Sequence, residues 1–140
     1  MKVEKLAQIK TNYSFEAPLK PARIKNGRAP KLEDIDRSLD LNAHLVPDAS
    51  KIFLVRVSGE SMIDEKIFDG DILIVDRTEA PRDGKIVIAS LNGEMAVKRL
   101  KRMKGEVYLV SANKNYLPIK IGELMEFEIQ GVVKHVIHSL

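Results

Sequence analysis

From residue 51 onward the chain alternates short apolar runs with turn-forming residues, the signature of a sheet built from many short strands. Ile52-Phe53-Leu54-Val55-Arg56-Val57 is rich in β-branched and aromatic residues and predicts a strand. Asp69-Gly70 leads into Asp71-Ile72-Leu73-Ile74-Val75, a continuous apolar segment suited to a buried strand. Pro81-Arg82-Asp83-Gly84 makes a turn before the run Lys85 to Leu91, and Asn92-Gly93 joins that run to Glu94 through Leu100. Asn-Gly between two such runs predicts a two-residue hairpin, because these residues tolerate the positive φ that the turn demands. Further strands are expected at Val107 to Val110, near Leu117 to Ile121 and at Phe127 to Ile137. The expected fold class is mainly β, an antiparallel domain with little helix.

The first 30 or so residues show no sustained period. They contain Pro18, Pro21 and Pro30 with few aliphatics, and they read as an extended arm, with Tyr13 and Phe15 available to anchor it. The expected division is an arm over residues 1–38 and a β domain over residues 39–140. A short helix is expected around Asp40 to Leu45, with Asp40 as its N-cap.

The hairpin has a chemical consequence. With Asn92-Gly93 as its turn, Leu91 faces Glu94, Ala89 faces Ala96 and Val87 faces Lys98. One face then carries Val87, Ala89, Leu91, Ala96, Lys98 and Leu100, which places a lysine among apolar neighbours. If Lys98 is buried there, its ammonium is disfavoured and the amine becomes available as a base near neutral pH. If it lies at an edge, it snorkels its charge into water. A partner for such a base lies in Val57-Ser58-Gly59-Glu60-Ser61-Met62, which leaves a strand, turns at glycine and enters a short helical stretch expected over Met62 to Ile67. A serine at that junction projects beside backbone N–H groups free to bind an oxyanion, although Ser-Gly-X-Ser alone also describes an ordinary turn or cap.

Composition narrows the classes. The 140 residues suit one domain with a real core, and the absence of cysteine excludes disulfides, thiolate metal sites and a cysteine nucleophile. No apolar run approaches the roughly 20 residues that span a bilayer, and no signal peptide is visible, so a cytoplasmic location is expected. The net charge is only +3, but Lys2, Lys5, Lys10, Lys20, Arg23, Lys25 and Arg28 face only Glu4 and Glu16 within the first 30 residues. Arg99, Lys101, Arg102 and Lys104 form a second basic cluster. Either suits nucleic acid, an acidic partner or plain solvation. No recognition helix or stacking platform accompanies the charge, so direct DNA binding is not expected. No His, Asp and Glu grouping has metal-ligand spacing, and neither a metal nor any other cofactor is expected.

Ordered motifs then give a resemblance. Ser58-Gly59-Glu60-Ser61-Met62, followed by Asp69-Gly70-Asp71 with an aliphatic strand and then Val97-Lys98-Arg99-Leu100, resembles the LexA/UmuD family of Ser–Lys peptidases. The similarity to UmuD is closer, running through Asn92-Gly93-Glu94 to Gly131-Val132-Val133 and covering roughly residues 38–137. The resemblance implies that Ser61 is the nucleophile and Lys98 its neutral, proton-accepting partner. It also implies that the backbone N–H groups of Glu60 and Ser61 form the oxyanion hole. A primary amine has no tautomer to select, so no Asp or His is required behind it, and His44, His135 and His138 are read as structural or exposed.

The same resemblance implies self-cleavage of the N-terminal arm, at a bond between a small residue and glycine. Gly27 is the only glycine ahead of Gly59, making Asn26–Gly27 the sole candidate of that form. Asn26 departs from the family's cysteine or alanine, and Asn-Gly is also a common turn dipeptide. The 34 residues from Gly27 to Ser61 extend to about 110 Å at roughly 3.3 Å per residue, so reach within or between subunits is no obstacle. LexA and phage repressors carry a helix-turn-helix module ahead of the cleavage site, which the proline-rich pattern here does not resemble. The implied role is in the bacterial DNA-damage (SOS) response. After trimming stimulated by a RecA–single-stranded DNA filament, the protein is expected to act as the homodimeric accessory subunit of a UmuC-like error-prone translesion polymerase. The alternatives are a partner-binding module of the same fold that no longer cleaves, and a truncated LexA-like repressor.

Overall fold

A computed structural model of the chain describes residues 1–8, 16–18 and 38–140. By contacts, the chain divides into two compact units, Met1–Ile9 with Ser50–Leu140, and Lys10–Ala49. In the smaller unit, β2 (Glu16–Pro18) pairs antiparallel with β3 (Ser38–Asp40), which leads into the helix α1 (Leu41–Leu45). Asp40 caps that helix as expected. Its Oδ1 accepts Asn42 N at 2.9 Å and Ala43 N at 3.3 Å, satisfying two of the N–H groups that a helix start leaves unpaired.

The larger unit holds the expected antiparallel β fold. Its strands are β1 (Lys2–Gln8), β4 (Ile52–Ser58), β5 (Ile72–Asp76), β6 (Ile86–Leu91), β7 (Glu94–Met103), β8 (Glu106–Val110), β9 (Ile119–Lys120) and β10 (Phe127–Ile137). They are ordered β1-β4-β5-β10-β6-β7-β8-β9, and a further pairing of Lys2 with Ala96 brings β1 against β7. Six strands thus close into a barrel-like sheet, with β8 and β9 continuing from the far end of β7. Closure leaves two packed layers. One contains Phe53, Val55, Val57, Met62, Ile67, Leu73, Val75, Ile88 and Val97, and the other Val87, Ala89, Leu100, Leu109 and Val132. Alternate residues of β6 and β7 feed both, which is why these strands are apolar on both faces.

β1 differs from the expectation for its segment. The first eight residues, read from sequence as part of an extended arm, include a strand of the main sheet, paired with β4 from Lys2↔Ser58 to Gln8↔Phe53. Met1 and Val3 also pack against the first core layer. Long-range pairing supplies the order that local composition does not announce.

Strand β10 is bent and shared. Its first part, from Phe127 to Val132, pairs with β6, and Val132 to Ile137 pairs with β5. Just before the changeover at Val132 stands Gly131, where a Cβ would lie 2.6 Å from Val75 Cγ1 and 2.8 Å from the Asp76 carbonyl oxygen. Only glycine fits that approach.

Candidate active site

β4 ends at Ser58, and the chain reverses at Gly59, whose φ of 102° suits glycine. The turn is held by the motif that follows it. Gly59 N donates to Asp69 Oδ1 at 2.8 Å, Gly70 N to the Val57 carbonyl at 2.8 Å, and Val57 N to the Asp71 carbonyl at 3.0 Å. Asp69-Gly70-Asp71 is therefore a clamp on the strand end that presents the serine. Asp71 is buried; its Oδ2 accepts Phe68 N at 2.8 Å, and its Oδ1 lies 2.6 Å from His138 Nδ1. His138 thus supports the clamp from the C-terminal end of the chain.

Beyond the turn, Ser61 and Met62 are fully buried. The helical stretch expected over Met62 to Ile67 is shorter than that, a single 3-10 turn over Ile63–Glu65. It stops because Lys66 adopts a left-handed φ of 61°, while Ile67 is drawn into the core with its N–H on the Met62 carbonyl at 3.3 Å. Arg99 ties the turn to β7 through an ion pair with Glu65 and also donates to the Gly84 carbonyl. Arg102 donates to the Pro81 carbonyl at 3.3 Å, so two members of the second basic cluster are engaged within the protein.

The hairpin register is the one expected: Leu91 opposite Glu94, Ala89 opposite Ala96, Val87 opposite Lys98. Asn92 and Gly93 both have positive φ, 49° and 84°, as the two-residue turn requires. Of the two readings of Lys98, the structure shows the buried one, at 7% exposure on the face shared with Val87, Ala89 and Leu100. Burial pushes its pKa below the ordinary lysine value. Its Nζ donates to Ser111 Oγ at 2.7 Å and lies 5.5 Å from the centre of the Tyr116 ring.

The N-terminal amine, just ahead of β1, links the surroundings of Ser61 and Lys98. The Met1 α-amine donates to Ser61 Oγ at 2.8 Å. Burial lowers the pKa of that amine, and the charge of Lys98 lowers it further. The two side chains are not hydrogen-bonded to each other; Ser61 faces Met1 and Lys98 faces Ser111. Among the described residues, nothing accepts the backbone N–H of Glu60 or Ser61.

The segment after β8 brings support that the sequence did not reveal. Ser111 holds the lysine. Next to it, Ala112 N donates to Met62 Sδ at 3.3 Å, and the Ala112 carbonyl accepts Asp64 N at 2.8 Å. Asn113 Nδ2 donates to the Glu60 carbonyl at 2.9 Å. Asn26 and Gly27 lie outside the described residues. Among the described residues, no group of His, Asp or Glu is arranged to hold a metal ion, and no helix is long and apolar enough to cross a membrane.

Comparison with known proteins adds the context. The peptidase S24-like family model matches residues 22–134. The Protein ImpA of Salmonella typhimurium is 37% identical over 127 residues, covering 89% of this chain and 86% of that protein. The LexA repressor of Dechloromonas aromatica is 47% identical over 81 residues, 57% of this chain and 40% of the repressor. LexA repressor 2 of Pseudomonas putida is 44% identical over 80 residues, so the match spans about 40% of the length of these repressors.

Proposed function

Because the chain belongs to the S24 peptidase family of LexA and UmuD, we propose that it is a self-cleaving serine peptidase with Ser61 as nucleophile and Lys98 as general base. The observation that carries this reading is that Ser61 and Lys98 are both buried and both bear on the Met1 amine, and that burial turns the lysine toward its neutral form. A neutral amine keeps N–H bonds to give Ser111 and has a lone pair with which to take the Ser61 proton.

The reaction follows as acyl transfer. Lys98 accepts the proton of Ser61 Oγ as the oxygen attacks a backbone carbonyl, and the C–O bond forms while the carbonyl electrons move to oxygen. The unpaired N–H groups of Ser61 and Glu60 suit that oxyanion. Collapse expels the new N-terminal amine, which takes the proton from Lys98. Lys98, neutral again, takes a proton from water as it attacks the acyl-enzyme, and returns that proton to Ser61 Oγ as the new C-terminal carboxylate leaves. In the described arrangement Met1 stands at Ser61 Oγ, so the scissile carbonyl takes its place only after the start of β1 gives way.

The scissile bond in this reading is Asn26–Gly27. The finer role is that of the UmuD branch: trimming promoted by a RecA–single-stranded DNA filament in the cytoplasm, followed by service as a homodimeric accessory subunit of a UmuC-like translesion polymerase. The ImpA relative supports that branch, since it matches over most of both chains while the repressors match only in part. Contact with a second copy suits the C-terminal half of β10, which pairs with β5 alone and leaves Val136 and Ile137 partly exposed. Intact-mass measurement after incubation with activated RecA tests the reading. Fragments of residues 1–26 and 27–140 are expected from the parent chain and none from Ser61→Ala. Cutting at another bond would displace the site, and fragments from Ser61→Ala would refute the nucleophile.

A further inference from the structure

The peptide that joins Glu60 to Ser61 is anchored from one side. Its carbonyl oxygen accepts Asn113 Nδ2 at 2.9 Å and Ile63 N at 3.3 Å. A trans peptide is planar, with its C=O and its N–H pointing in opposite directions. No cis peptide occurs among the described residues. Whatever fixes the Glu60 carbonyl therefore fixes the direction of the Ser61 N–H, the group whose aim matters to an oxyanion.

Asn113 is well placed to be that anchor. It is 7% exposed, and it reaches across 53 residues of sequence to make the bond. Its other amide atom, Oδ1, accepts Asn115 N at 3.0 Å, and its own carbonyl accepts Tyr116 N at 3.1 Å. Because an amide NH2 donates and cannot accept, the Asn115 N–H must meet Oδ1, which settles the orientation of the amide and leaves Nδ2 facing Glu60. Packing alone does not require a donor at this spot, since Ile63 N already serves the carbonyl. The second bond adds direction.

We propose that Asn113 is a positioning residue for the oxyanion hole, holding the Glu60 carbonyl so that the Ser61 N–H is presented to the developing negative oxygen. The proposal rests on the peptidase reading above. Asn113 bonds the Glu60 carbonyl and not the Ser61 hydroxyl. It acts through one peptide plane, as Ser111 acts through the lysine.

Asn113→Asp isolates this role. The variant keeps an oxygen for Asn115 N and nearly the same shape, but turns a second oxygen toward the Glu60 carbonyl. Asn113→Ala removes the donor without adding charge, and covers the case in which a buried carboxylate prevents folding. Deleting one oxyanion donor outright costs about a hundred- to thousandfold in rate, so misaiming one should cost roughly ten- to hundredfold. The alkaline plateau of self-cleavage is expected to fall by that factor while the pH midpoint, set by Lys98, stays where it is. In amide NMR spectra the Ser61 resonance is expected to shift, while Asn92 and Gly93 in the distant hairpin turn stay put. A folded variant that cleaves at the parent rate with an unmoved Ser61 amide would overturn the proposal. So would a moved midpoint at an unchanged plateau, which would mean that the loop acts on the lysine. If the parent chain itself never cleaves, the peptidase reading fails, and the Ser61 amide alone decides whether Asn113 sets the peptide plane.

Discussion

Lys98 and Ser61 are fixed by different kinds of interaction. Lys98 sits in the ladder of the β6–β7 hairpin, opposite Val87, and its neighbours follow from the two-residue turn at Asn92-Gly93. Ser61 sits on a turn whose bonds come from Asp69, Ala112 and Asn113, the last reaching Glu60 across 53 residues. Lys98 is thus placed by local structure and Ser61 by tertiary contacts. Tertiary contacts assembled from many parts of the chain loosen more easily than a ladder. Damage to the surroundings of Ser61 should therefore cost activity sooner than equal damage to the hairpin.

The strongest challenge to this contrast is Met62→Ala. Met62 is fully buried, adjoins Ser61, and its sulfur accepts Ala112 N. Truncating a buried methionine to alanine costs about 2–5 kcal/mol, and urea denaturation should show a loss in that range. Self-cleavage measured under conditions where the variant remains folded should fall further than the parent's does with mild urea. If activity survives in full, the turn does not depend on its tertiary clamp.

A smaller effect is expected at the other region. Gly93 has a φ of 84°, and a Cβ there meets nothing within 4 Å, so Gly93→Ala carries a backbone cost of about 1–2 kcal/mol and no steric clash. Because the ladder keeps its register, cleavage by the folded fraction should stay near the parent rate. A cleavage defect larger than that of Met62→Ala would reverse the comparison.

The same contrast explains what could be read in advance. Asn92-Gly93 encodes its hairpin within a few residues, so the register that buries Lys98 followed from the sequence, as did the Asp40 cap. Strand β1 did not, because Lys2–Gln8 contains no turn and is ordered by pairing with β4, some 50 residues away. The helical turn is shorter than the expected Met62–Ile67 stretch because the left-handed Lys66 depends on how Ile67 enters the core. Motif resemblance singles out Ser61, Lys98 and the Glu60 N–H as the candidate site. Their supports, Ser111, Asn113 and Asp69, are single polar residues outside any hydrophobic period, and only the folded contacts reveal what they hold.

The central claim is that Lys98, in its neutral form, takes the proton of Ser61, and the pH dependence of self-cleavage tests it most directly. Cleavage of the parent chain, followed by intact mass, should accelerate with rising pH as Lys98 loses its proton, and level off below the ordinary lysine pKa because burial lowers the value in the folded state. Lys98→Ala should show no such rise and no measurable product over the same interval. A rate independent of pH in the parent, or a Lys98→Ala chain that cleaves with the parent's profile, would contradict the account.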